Sequence, residues 1–162
     1  MAVQWVVYVL GQPIDRIVAE RGDPDRAGLT FSDTSDPDIM AAFRLGILSG
    51  PVAPSAGSPG IFAPNDTFSR EMAAAMTMNI CRAVGANVSN APDAGFGDMG
   101  QASAWAHPGI NFCAAQGIIR GFDGNFNPHG TFTRQDSIMM INNIRKQGDG
   151  SPASDEAGEP YL

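Results

Sequence analysis

Residues 121–136 read GFDGNFNPHGTFTRQD, and the apolar run SIMMINNI (137–144) follows at once. A glycine turn, a Phe-x-Pro and a Thr-Arg thus stand in that order directly before an apolar, helix-like stretch. The same order stands 64 positions earlier, where Phe62-Ala63-Pro64 matches Phe126-Asn127-Pro128 and Thr67-Phe68-Ser69-Arg70 matches Thr131-Phe132-Thr133-Arg134. Further out, Phe31-Ser32-Asp33 returns as Phe96-Gly97-Asp98, and GILSG (46–50) as GIIRG (117–121). Four blocks in one order make an internal repeat, and a repeat has to be read before any single motif.

The copies differ in their spacers. Phe31 to Gly46 is 15 positions and Phe96 to Gly117 is 21, so the first copy is shortened around the counterpart of Trp105-Ala106-His107, which predicts a trimmed helix. Gly50 to Phe62 is 12 positions against 5 from Gly121 to Phe126, which predicts an added loop over PVAPSAGSPG (51–60). Each copy reads as helix, bend, short extended piece and helix. In the second, AHPGINFCAAQG (106–117) places Pro108 in a first turn and Gly117 at a C-terminal stop. Asp123-Gly124 suits a tight turn. Thr133 suits a helix cap, with Asp136 three residues on in the capping-box place. Ile138, Met139, Ile141 and Ile144 are the expected buried stripe of that helix; in the first copy Ser69 is the expected cap and Met72, Ala75, Met76 and Ile80 the stripe. Neither unit buries such a stripe alone, which is why units of this kind come in sets.

The fold class expected is therefore mainly α, built of tandem helix-loop-helix units. MAVQWVVYVLG (1–11) is similar to AMTMNICRAVG (75–85) and lacks the basic start and the cleavage site of a signal peptide, so it reads as the closing helix of a preceding unit. Four parts follow: 1–30 as that helix plus linker, 31–85 as a degenerate copy, 96–147 as a well-matched copy, and 148–162 as a disordered acidic tail.

Composition excludes several functions. A net charge of −7 and a pI near 4.5 leave no basic footprint for nucleic acid. No apolar run is long enough to span a membrane. Nine of the ten basic residues are Arg, the side chain suited to forked contacts with carboxylates. No Gly-x-Ser-x-Gly, His-Glu-x-x-His or phosphate loop points to an enzyme, and Ser103, His107 and Asp98 form a triad only on paper. Cys81 and Cys113 lie in apolar helical contexts and read either as buried thiols or as one interhelical disulfide. His107 and His129 read as surface or capping residues. Asp123–Asn127 lacks the spaced carboxylates of a calcium loop, so neither a metal nor another cofactor is expected.

The ordered set Phe-x-Asp, Trp-Ala, Gly-Ile-Ile-x-Gly-Phe-x-Gly-x-Phe-x-Pro and Thr-Arg resembles the S-layer homology repeat. Residues 96–147 resemble it closely and 31–85 more loosely. The resemblance implies repeats packed as a pseudo-threefold helical prism that holds surface proteins to the bacterial envelope by binding secondary cell-wall polysaccharide, often pyruvylated, in pockets between repeats. It implies an extracellular, cell-surface location. Carried over by position, Arg134 and Trp105 are the expected contacts, with Asp98, Gly121 and Thr133 shaping the site; Arg70 and Ser69 are the first copy's counterparts, and no Trp stands where Trp105 would. Arg120, between two glycines, is a further candidate lining residue. Against these stand plainer readings: Arg134 paired to Asp136 or Asp98, and Trp105 packed under a loop. The rival function is a protein–protein module with decayed glycan pockets, self-associating through the face a missing repeat would cover.

Overall fold

The computed structural model describes residues 2–148. It is mainly helical: α1 (Ala2–Leu10), α2 (Ile14–Arg21), α3 (Pro37–Arg44), α4 (Arg70–Ala83), α5 (His107–Ala115) and α6 (Arg134–Gly148), with short 3-10 turns at Pro24–Arg26 and Met99–Gln101. Among the described residues, backbone pairing outside the helices is confined to isolated bridges. Of the expected tail, 148–162, Gly148 is the last residue of α6 and 149–162 lie outside the described residues.

Each helix forms where its ends are satisfied and one face is apolar. Asp36 caps α3 by accepting from the N–H groups of Asp38 and Ile39, and Pro37 fills the first turn, where its missing N–H costs nothing. Ser69 caps α4 through the Met72 N–H. Thr133 and Asp136 form the expected reciprocal box at α6: the Asp136 carboxylate accepts from the Thr133 N–H and hydroxyl, and the Thr133 Oγ1 accepts from the Asp136 N–H. The helices α3 and α5 stop alike. Gly46 and Gly117 take left-handed φ of 71° and 61°, and the next amides, Ile47 and Ile118, turn back to Ala42 and Cys113. Both isoleucines are buried, so each stop also pins a core side chain.

Two apolar clusters result. One gathers Val3 and Val6 of α1, Ile17 of α2, Ala41 and Ala42 of α3, Ile47, and Ile80 of α4. The other gathers α4, α5 and α6 around Phe126, with Ile110, Cys113, Met140 and Ile144 among its members. Trp5 and Met76 pack against both. Helix α4 lies between the two. Its Ala74 and Ala75 backbone meets α5 so closely that a Cβ on Gly109 would stand 2.7 Å from the Ala75 Cα. The buried Thr77 hydroxyl donates to Ala73 O at 2.7 Å and lies 2.8 Å from Met140 Sδ, tying α4 to α6. Helices α1, α4 and α6 also share one small apolar cavity of about 30 Å³, lined by Trp5, Met76, Ile80, Met140, Ile141 and Ile144 among others.

Three expectations need correction. The stripe on α4 is displaced: Met72 is exposed, while Ala73, Ala74, Thr77, Met78 and Cys81 are buried with Ile80, because α4 is covered on two sides instead of one. On α6, Met140 and Ile144 face the core, whereas Ile138 and Met139 are 58% and 52% exposed. The first copy is not trimmed in its helix, since α3 and α5 have 8 and 9 residues; the shortening falls in the segment that precedes the helix, where the second copy carries its 3-10 turn. The added loop is a hairpin, with Val52 bridged to Ile61 and Ser55 to Ser58 about a left-handed Gly57. Cys81 and Cys113 are free and buried. Burial pushes the Cys81 thiol up to about 11; burial first, and then the neighbouring Cys81, push Cys113 higher still.

Candidate functional site

The two like-sequence segments use one device to shape the loop before each closing helix. The Asp98 carboxylate accepts from the Phe126 and Asn127 N–H groups at 2.8 and 2.7 Å; the Asp33 carboxylate accepts from Phe62 and Ala63 at 2.9 and 2.7 Å. These donors favour the ionised form and hold the Asp33 carboxyl below the usual range. At Asp98 desolvation by burial pushes upward, and the same pair of N–H donors with the Arg70 charge overcomes it, so the net shift is also downward. Both oxygens of Asp98 are spent on backbone, so its part in the site is to set the loop. Gly121 has a steric part as well: a Cβ there would meet Phe96 Cε1 at 2.3 Å and Asn125 O at 2.5 Å. A second shared device escaped sequence reasoning. Asn143 of α6 donates to Ile118 O at 3.0 Å, and Asn79 of α4 to Ile47 O at 3.3 Å, tying each closing helix to the bend of its own segment. The signal was present, since both asparagines precede an isoleucine and are 64 positions apart, as the Phe-x-Pro blocks are.

The junction between the segments is built by the head of α4. Arg70 Nε donates to Phe126 O and Nη2 to Arg120 O, each at 2.9 Å, and its guanidinium carbon lies 5.1 Å from the centre of the Phe126 ring. The Arg70 and Glu71 N–H groups, which have no acceptor inside the helix, donate to Gly130 O and Pro128 O at 2.9 and 3.0 Å. Ser69 bridges Thr131, the Phe132 N–H donates to Phe68 O, and the two phenylalanine rings meet edge to face at 6.1 Å. Glu71 is 4% exposed, and its carboxylate accepts from both the N–H (2.8 Å) and the hydroxyl (3.1 Å) of Ser103, with His129 Nδ1 at 3.6 Å. Glu71 stands two residues after its cap, one short of the capping-box place, and is a buried clasp between segments. Its true partner lies 32 positions away, beyond the reach of a local pattern. His129 Nε2 sits 2.9 Å from Gln101 O and His107 Nε2 3.2 Å from Ala102 O, so both rings close turns around this clasp.

The expected site residues therefore separate into two places. Ser69, Arg70, Asp98, Arg120 and Gly121 belong to the junction. Trp105, two residues beyond the Ser103 that Glu71 holds, is 56% exposed. Thr133 and Arg134 stand at the α6 head. Arg134 is exposed, and among the described residues it makes no ion pair, hydrogen bond or ring contact, so pairing to Asp136 or Asp98 is not observed. No cation–π contact joins it to Trp105 among the described residues. The Arg134 and Gln135 N–H groups, whose counterparts on α4 are filled by Gly130 O and Pro128 O, take no acceptor among the described residues.

No described helix is long and apolar enough to cross a membrane, and no group of metal-ligating side chains is found among the described residues. No curated protein and no solved structure matches the chain. A family model does: that of the S-layer homology domain, over residues 95–136, which hold the Asp98 clip, Trp105, the Gly117–Gly121 bend and the Phe126-Asn127-Pro128 loop. Domains of that family bind cell-wall polymers, are not enzymes, and mark proteins associated with the cell surface or wall. The chain thus carries an S-layer homology domain at residues 95–136, the better matched of its two like-built segments.

Proposed function

We propose that this chain is a non-covalent cell-envelope anchor that binds an anionic or pyruvylated secondary cell-wall polysaccharide at the edges of its repeats, without catalysis. The repeats are 31–85 and 96–147, and α1 serves as a third closing helix beside α4 and α6 about a pseudo-threefold axis; the cavity these three helices share supports that arrangement. The observation that carries the function is the α6 head. There a guanidinium and two N–H groups of a helix N-terminus stand open, at the positions that the second segment fills on α4. A helix N-terminus favours anions, and Arg adds a forked, charge-assisted contact suited to a carboxylate. Such a contact is worth roughly 1.5–3 kcal/mol. One site holds weakly, and several sites along one polymer hold through effective concentration.

Co-sedimentation with purified sacculi tests the reading. The protein is expected to pellet with sacculi that carry their polysaccharide, and to remain in solution when the polymer is stripped or when Arg134→Ala is made. Equal pelleting in all three arms refutes an Arg134 site.

One observation favours a second reading. Ile138 and Met139 are exposed on α6, whereas their counterparts on α4, Ala74 and Ala75, lie against α5. An open apolar face of that kind suits a protein–protein module. That reading expects no pelleting and a complex or oligomer on size-exclusion chromatography; a monomer that pellets with sacculi disposes of it.

A further inference from the structure

We infer that Phe122, together with Arg120, forms a second contact for an acidic sugar, on the outer face of the bend at the junction and apart from Arg134. The inference rests on the glycan-binding reading above and adds a site residue to it. Phe122 is 89% exposed, the most exposed large apolar side chain among the described residues. A lone exposed apolar residue needs no explanation by itself. The backbone at Phe122, however, is fixed. It pairs with Asn125 through two backbone hydrogen bonds, 2.8 and 3.0 Å, across an Asp123-Gly124 turn whose φ values are 49° and 73°. That turn is tied down in its own right, since the Gly97 N–H donates to Gly124 O at 2.9 Å. The backbone at Gly121 is pressed against Phe96, where even a Cβ would collide, so the inner side of the bend is full. The side chains on either side of Gly121, Arg120 and Phe122, are both exposed. Their Cα atoms are at most roughly 7 Å apart, because two residues span no more.

The pair has complementary chemistry. A sugar presents a face of C–H groups that lies flat on an aromatic ring, and a carboxylate carried on that sugar comes within reach of a guanidinium one ring-width away. The Arg120 side chain has no hydrogen-bond or ion-pair partner among the described residues, and its backbone carbonyl is held by Arg70 Nη2, so the bend is braced from the α4 side. The field is not simply positive. Asp123 lies in the turn, and Asp98, within range of Arg70, spends both its oxygens on backbone N–H groups. Recognition therefore depends on a directed contact and ring stacking more than on net charge, and its dependence on salt is shallow. The first segment has Ser49 and Pro51 at the matching positions, with neither a cation nor an aromatic ring, so the contact belongs to the second segment alone.

Sedimentation with polymer-bearing sacculi, using the full chain and titrating the sacculi, separates this inference from the reading beneath it. Phe122→Ala is expected to weaken binding roughly five- to tenfold, about what one aromatic contact contributes, and Phe122→Tyr to restore it to within about twofold. Arg120→Gln is expected to weaken it by a similar factor. Raising the salt is expected to leave the ratio of wild type to Phe122→Ala unchanged. Thermal melting of each variant is expected to match the parent, because neither side chain is buried. If the parent protein pellets and Phe122→Ala pellets equally, the Phe122 contact is wrong and the anchoring reading stands. If Phe122→Tyr fails to restore what Phe122→Ala loses, ring stacking is wrong. If the parent does not pellet with polymer-bearing sacculi, both ideas fall together.

Discussion

The heads of α4 and α6 begin from nearly the same sequence, Thr-Phe-Ser-Arg-Glu and Thr-Phe-Thr-Arg-Gln, and end in opposite states. At α4 the guanidinium, the first two N–H groups and the acid are all spent on the second segment. At α6 the matching groups face solvent. One motif therefore does two jobs, and its surroundings decide which. Filled by the second segment, the arginine is mortar; left open, as at Arg134, it is the group proposed above to meet the polymer. It follows that a Thr-Arg match in a repeat does not by itself mark a ligand contact, and that Arg70 and Arg134 should not be assigned the same role.

The sharpest way to break the comparison is at the residue after each arginine. Glu71→Ala removes a buried carboxylate and leaves the Ser103 N–H and hydroxyl without their acceptor. Its expected cost is about 2–4 kcal/mol of stability, since each unpaired buried group costs about 1–3 kcal/mol. Gln135→Ala, on an exposed position of α6, is expected to stay within about 0.5 kcal/mol. Urea unfolding of the two variants measures both. Similar midpoints would mean that the α4 head is not the clasp described here.

The next contrast lies in the arginines. Arg70→Ala deletes two charge-assisted hydrogen bonds and a ring contact that join the segments, and is expected to cost about 2–3 kcal/mol. Arg134→Ala is expected to leave the unfolding midpoint within experimental scatter. The same two proteins, measured by chemical denaturation, thus give a large and a negligible shift from one substitution in one motif. A fall for Arg134→Ala as large as that for Arg70→Ala would show that the α6 head is also built into the fold.

Much of this was legible in the sequence, and the remainder was not for definite reasons. Helix ends were legible where a cap or a glycine decides them: Thr133 with Asp136, Ser69 and Gly117 all act as their types require. The buried faces of α4 and α6 were misread by one position or more, because periodicity marks a single apolar face and α4 is packed on two. Small residues caused the rest of that error. Ala73, Ala74 and Gly109 look neutral in a hydropathy pattern, yet at Gly109 α5 comes against the α4 backbone so closely that no Cβ would fit. At the site, the Phe-x-Asp and Phe-x-Pro blocks were visible as repeats, but nothing local revealed that the aspartate clips the loop 28 positions later. Glu71 was hidden for the same reason. Phe122 carries no sequence signal of its exposure: it follows two isoleucines of the same bend, Ile118 and Ile119, that are buried, and hydropathy does not separate it from them.

The smallest contrast is the most local. Each Phe-x-Pro loop forces its middle residue into left-handed backbone, with φ of 57° at Ala63 and 58° at Asn127, and in each the N–H of that residue is gripped by the clip aspartate. Asn tolerates this region well, and Gly does so freely; an Ala there is strained by about 1 kcal/mol. The first segment therefore carries a strain that the second avoids. Ala63→Gly is expected to raise stability by about 0.5–1 kcal/mol, less than the full strain because glycine also gains freedom in the unfolded chain. Asn127→Ala is expected to lower it by a similar amount. Measured together by thermal melting, the two substitutions should move the melting temperature in opposite directions. If both lower it, Ala63 is held by side-chain packing that glycine cannot replace, and the likeness of the two loops ends at the backbone.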